Sequence, residues 1–190
     1  LLVLPAQAHI SPALQVRLNA FKGVLLAGPR TGSKTDTYQI PNNLAPGPLA
    51  SLLPLTVERV DALPNHTQPA VSGRWGSGSL LHWHEQIKTA LPCLLKDDGG
   101  NPVLMGEGRH FYLGSCIDNG LLKASLAKLA EAAGLSSVYL PKGVRVRERG
   151  KVIFVFNYAS HEVFFEPEGA ELVIGYRHLA AAGVSIWKKR

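Results

Sequence analysis

Ser11-Pro12-Ala13-Leu14-Gln15-Val16-Arg17-Leu18-Asn19-Ala20-Phe21-Lys22-Gly23-Val24-Leu25-Leu26-Ala27 is the stretch on which the fold turns. A hydroxyl residue followed by proline starts a helix: Ser11 can accept from an orphan amide, and Pro12 fixes φ where no donor is needed. Leu14, Leu18 and Phe21 fall at i, i+4 and i+7 on one helical face, and Gly23 supplies the stop. Val24 to Ala27 then reads as a strand covered on both faces, and so does Leu1-Leu2-Val3-Leu4 before the helix. A helical crossover between two such strands implies parallel pairing, hence an α/β beginning with a partial, doubly wound parallel sheet.

Outward from there the grammar changes twice. Residues 28–70 carry seven prolines, among them Pro46 and Pro48, and read as a long loop with one strand at Leu55 to Val60. Residues 71–100 show no clear period, apart from a turn at Asp97-Asp98-Gly99-Gly100. His110 to Gly114 reads as a strand, and Leu122, Leu126, Leu129 and Ala133 as one helix face ended by Gly134. Beyond Pro141, Val144 and Val146 alternate with Arg145, Arg147 and Arg149. Short strands follow at Lys151–Tyr158, Glu162–Glu166, Ala170–Ile174 and Gly183–Trp187, with no helix between them. Two domains are expected: an α/β domain over 1–140 and a small antiparallel all-β domain over 141–190.

The composition is that of a globular chain: 190 residues, 46% hydrophobic and 18% charged. No run approaches 18 apolar residues, and no charged segment precedes Leu1, so neither a membrane span nor a signal peptide is expected. The chain reads as a piece of something longer. Cys93 and Cys116 form no C-x-x-C pair, which argues against a disulfide framework or zinc and for a reducing, cytoplasmic setting. The net charge of +6 raises nucleic acid as a partner. No nucleic-acid motif or aromatic-interleaved basic run supports one, so no nucleic acid and no membrane are expected as partners.

Three motifs bear on chemistry. Gly28-Pro29-Arg30-Thr31-Gly32-Ser33-Lys34-Thr35 follows a parallel strand, where phosphate loops occur. It lacks glycine before Lys34, and Pro29 removes a donor, so no nucleotide or other cofactor is expected; Arg30 and Lys34 instead read as contacts to a carboxylate or a neighbouring subunit. Gly114-Ser115-Cys116-Ile117-Asp118 is half of a nucleophile elbow with its second glycine replaced, and Cys116 reads as a small buried hydrophobe or a nucleophile. His82-Trp83-His84-Glu85 would put His82 and His84 on one strand face as metal candidates, with His110 as a third, or as surface and interface histidines. No pair of carboxylates is marked for glycoside hydrolysis. No catalytic residue is assigned.

The run Gly23-Val24-Leu25-Leu26-Ala27-Gly28-Pro29-Arg30-Thr31-Gly32-Ser33-Lys34, followed by Pro46-Gly47-Pro48-Leu49, resembles bacterial β-galactosidases of glycoside hydrolase family 42. So do Gly106-Glu107-Gly108-Arg109-His110-Phe111-Tyr112-Leu113-Gly114, Phe154-Val155-Phe156-Asn157-Tyr158 and Ala182-Gly183-Val184-Ser185-Ile186-Trp187. The resemblance implies a C-terminal part of such an enzyme: a glutamine-amidotransferase-like trimerisation domain, then a β domain. The family's (β/α)₈ barrel, with its two catalytic glutamates, needs about 250 residues and has no room here. The implied role is non-catalytic: assembly as a homotrimer or packing against an upstream barrel, in a hydrolase acting on terminal β-D-galactosides. Arg30, Lys34, Pro46 and Pro48 are the interface candidates. Two alternatives remain: a carbohydrate-binding module stacking sugar on Trp75, Trp83 and Tyr112, or an amidotransferase-like enzyme using Cys116.

Overall fold

A computed structural model describes residues 1–190, and the chain divides into two compact units, Leu1–Ser137 and Val138–Arg190. The first unit runs β1 (Leu2–Leu4), α1 (Pro12–Ala20), β2 (Leu25–Ala27), a 3-10 turn at Gly47–Leu49, β3 (Leu55–Ala62) and β4 (Ala70–Gly73). It continues through β5 (Gly76–Thr89), β6 (Cys93–Asp97), β7 (Pro102–Glu107), β8 (His110–Leu113), β9 (Ser115–Ile117) and α2 (Asn119–Ala132).

The Ser11 side chain accepts from Leu14 N–H at 3.2 Å, and Pro12 opens α1, as the sequence predicts. One sheet carries all nine strands in the order β1-β2-β8-β7-β6-β4-β5-β3, with β9 paired to β5. Only β1, β2 and β8 are parallel, joined across α1 and across the long excursion from β2 to β8. The other pairings are antiparallel, because tight turns such as those at Asp97–Asn101 and Glu107–His110 cannot return a parallel strand. The sheet is therefore mixed, and the unassigned residues 71–100 supply three of its strands. Helices cover both faces. Leu18 of α1 packs in a cluster with Leu25, Leu49, Met105 and Tyr112, while Leu121 and Leu129 of α2 pack with Leu26, Leu95 and Phe111.

Two sequence expectations shift. β1 lies at the sheet edge with Val3 38% exposed, so this apolar run is covered on one face, not two. The inner face of α2 is Leu121, Ser125 and Leu129, with Leu122 and Leu126 half-buried beside it. Its start is fixed by Asp118, whose Oδ1 accepts from Gly120 and Leu121 N–H while Oδ2 accepts from Ser79 N–H on β5 at 2.7 Å. These backbone bonds hold the Asp118 carboxyl below the usual aspartate range. Asp118→Ala loses the cap and the strand anchor together and is expected to cost about 2 kcal/mol in urea unfolding at neutral pH. The folded pKa is depressed, so the contribution is present above the unfolded value and falls away as pH drops through the folded one.

The second unit runs β10 (Val144–Arg149), β11 (Val152–Asn157), β12 (Val163–Phe164), β13 (Ala170–Ile174), β14 (His178–Leu179) and β15 (Val184–Lys189). Four strands form an antiparallel sheet in the order β10-β11-β15-β13, and β12 pairs with β14. One face closes over Val144, Ile153, Val155, Leu179 and the wholly buried Trp187, whose Nε1–H donates to Ser185 Oγ at 2.8 Å. The architecture is an α/β unit followed by an all-β unit, without a (β/α)₈ barrel.

Candidate functional site

The long strand β5 carries buried polar groups on both faces, because alternate residues of a strand point to opposite sides. Glu85 is 1% exposed and lies on the α1 side. Its Oε2 accepts from the Tyr112 hydroxyl at 2.7 Å, and its Oε1 accepts from Arg30 N–H at 2.8 Å and Trp83 Nε1–H at 3.3 Å. Burial nonetheless pushes the Glu85 carboxyl above its ordinary range, the three donors opposing it. Tyr112 is pushed well up by its own burial and by the neighbouring carboxylate.

Glu85 thus anchors the Gly28–Thr35 loop from beneath. Arg30 sits at φ 67°, a conformation that side-chain-bearing residues rarely adopt, and its guanidinium stacks 5.2 Å from the Trp83 ring centroid. Gly32 follows at φ 70°, where a Cβ would fall 2.2 Å from the Pro46 carbonyl oxygen, so only glycine lets the two loop segments close. The loop amides are already engaged. Arg30 N–H is held by Glu85, Gly32 N–H by Gln7 O, Ser33 N–H by Arg30 O, and Lys34 N–H by Ala8 O. A phosphate cradle needs such amides free, so the loop's task is to present side chains. Arg30 is exposed, Lys34 half-buried, and with Trp83, Ile40, Leu44 and Val60 they border an open groove of about 350 Å³. Ile40, Leu44 and Val60 are exposed along it, Ile40 at 73%.

The other candidates fall elsewhere. Pro46 is buried behind the loop, and Pro48 is half-buried, its carbonyl accepting from Gln15 Nε2 at 2.6 Å. Tyr112 is fully buried and offers no ring face to a sugar, while Trp75 packs on Phe111 at 5.6 Å. His82 is exposed and His84 buried, and no trio of His, Cys, Asp or Glu stands together in a metal-binding arrangement. Burial lowers the His110 pKa, and Arg109 adds to the effect.

On the α2 side of β5, His84 Nδ1 lies 2.6 Å from Ser115 Oγ. Its Nε2 lies 3.1 Å from Asp97 Oδ2 without forming a well-directed hydrogen bond. Serine, histidine and aspartate in a row suggest a hydrolytic triad, but Ser115 is 0% exposed and His84 3%, which leaves a substrate no approach. The trio instead ties β5, β6 and β9 together. Ser115, not Cys116, faces the histidine, and the half-buried Cys116 thiol is pushed up by burial and by Glu85, the opposite of what activates a nucleophile. The pairings of Glu85 with Tyr112 and Arg30, and of His84 with Ser115 and Asp97, escape sequence reasoning because they join separate elements, up to 55 residues apart.

The first unit thus presents a loop anchored from beneath by Glu85, beside an open groove bordered by Ile40, Leu44 and Val60. Residues 1–136 match the β-galactosidase trimerisation domain family, and residues 143–189 match the β-galactosidase C-terminal domain family. The chain belongs to these glycoside hydrolase family 42 β-galactosidase families and corresponds to their C-terminal part. It is 43% identical over 177 residues to the β-galactosidase BgaA of a Thermus species and 40% identical over 176 residues to a β-galactosidase of Thermus thermophilus. Each alignment takes in 90% of this chain, which spans only 27% of each relative. Among solved structures, the β-galactosidase of the psychrophilic Marinomonas ef1 is 82% identical with a TM-score of 0.96, over all of this chain and 29% of that one. The Bacillus circulans enzyme, at 23% identity and a TM-score of 0.86, shares the fold.

Proposed function

We propose that this chain is a non-catalytic assembly module: its first unit self-associates, as a homotrimer, through the groove bordered by the Arg30 loop. The parent activity is hydrolysis of terminal β-D-galactosides, with the catalytic glutamates on a barrel outside these residues. The first unit is then an amidotransferase-like sheet turned to assembly, in a cytoplasmic enzyme whose Cys93 and Cys116 stay free. One observation carries the reading. Arg30 is held in a strained conformation by a buried carboxylate, beside exposed Ile40, Leu44 and Val60, and a protein surface of that composition is one that a partner covers. Arg30 and Lys34 are its charged rim, and Pro46 braces it from behind.

Light scattering coupled to size exclusion tests this across a dilution series. A mass near three times 20.5 kDa that persists on dilution is the expected result. Ile40→Asp buries a charge in the interface and is expected to return the chain to a folded monomer, with at least about a tenfold loss of association. A wild-type monomer, or a trimer indifferent to Ile40→Asp, removes the groove from the assembly.

A further inference from the structure

We draw no further inference here: the strongest candidate, the apolar cavity of about 350 Å³ lined by Leu122 and Leu126 of α2, Leu26 of β2, Leu113 of β8 and Cys116 of β9, rests on a lone cysteine in an apolar lining, and nothing in the structure shows what covers it.

Discussion

Asn157→Asp is expected to unfold the second unit while leaving the first intact. Asn157 is 1% exposed, and its Nδ2 lies 2.8 Å from His161 O, 3.0 Å from Leu179 O and 2.9 Å from Ala180 O, donating to all three. Its Oδ1 accepts from Ala159 N–H at 2.8 Å. One amide thus fastens the end of β11 to the turn after it and to β14, in a unit whose core is a handful of aliphatic residues around Trp187. Aspartate has nearly the same shape but turns an oxygen toward three carbonyl oxygens and brings a buried charge without a cation. Asn157→Ala takes a partner from four backbone groups, of which Ala180 O keeps Gly183 N–H, at about 1–3 kcal/mol for each left unpaired where water cannot reach. A unit of about fifty residues has on the order of 3–8 kcal/mol in total. Near-ultraviolet circular dichroism and hydrogen exchange should show the Trp187 environment lost and the amides of β10, β11 and β15 exposed, with the β5 amides still protected. A cost below about 1 kcal/mol for Asn157→Ala would mean that the turn is held by something other than this side chain.

The same contrast, between chemistry written locally and chemistry supplied from afar, separates what the sequence revealed from what it concealed. α1 was legible because Ser11 and Pro12 act on the residues next to them, and β10 because valine and arginine alternate with period two. The helix α2 is legible as a helix, and of the face Leu122, Leu126, Leu129 and Ala133 only Leu129 is fully buried, the others packing beside an inner line through Leu121 and Ser125. Leu121 reaches the sheet because Gly76 and Gly78 leave room on β5: a Cβ on Gly78 would come within 2.9 Å of Leu121. No helical period announces a glycine on a distant strand. β5 itself was hidden for a related reason. Its fourteen residues include His82, His84, Glu85 and Gln86, which obscure the apolar alternation of a half-buried strand. Two of these are buried because Ser115, Tyr112 and Arg30 satisfy them across the fold. The Gly-Pro-Arg-Thr-Gly run is visible in the sequence, but not the distant groups that close its amides to phosphate: the Glu85 carboxylate on Arg30 N–H and the Gln7 and Ala8 carbonyls on Gly32 and Lys34 N–H.

That carboxylate gives the first unit a dependence on pH of predictable sign. Glu85→Ala strands the Tyr112 hydroxyl, the Arg30 amide and the Trp83 indole N–H in a buried place and is expected to cost about 3 kcal/mol or more, with the strained Arg30 turn released. Glu85→Gln keeps the shape and most of the hydrogen bonds, so comparison with it isolates the charge. Burial raises the folded pKa of Glu85 above its ordinary value near 4.5. Below that value both folded and unfolded chains hold the proton, and the carboxyl's contribution is fully present. As pH rises, the unfolded chain ionises first, and stability falls by up to about 1.4 kcal/mol per pH unit until the folded carboxyl ionises too. The difference in unfolding free energy between wild type and Glu85→Gln should therefore be most favourable to wild type below the ordinary value and shrink as pH rises above it, until the folded carboxyl ionises. Urea unfolding at several pH values measures it directly. A flat difference would mean that the three donors cancel the burial. A difference growing with pH would mean that they overcome it, and that the Arg30 loop is anchored by a true carboxylate at all working pH values.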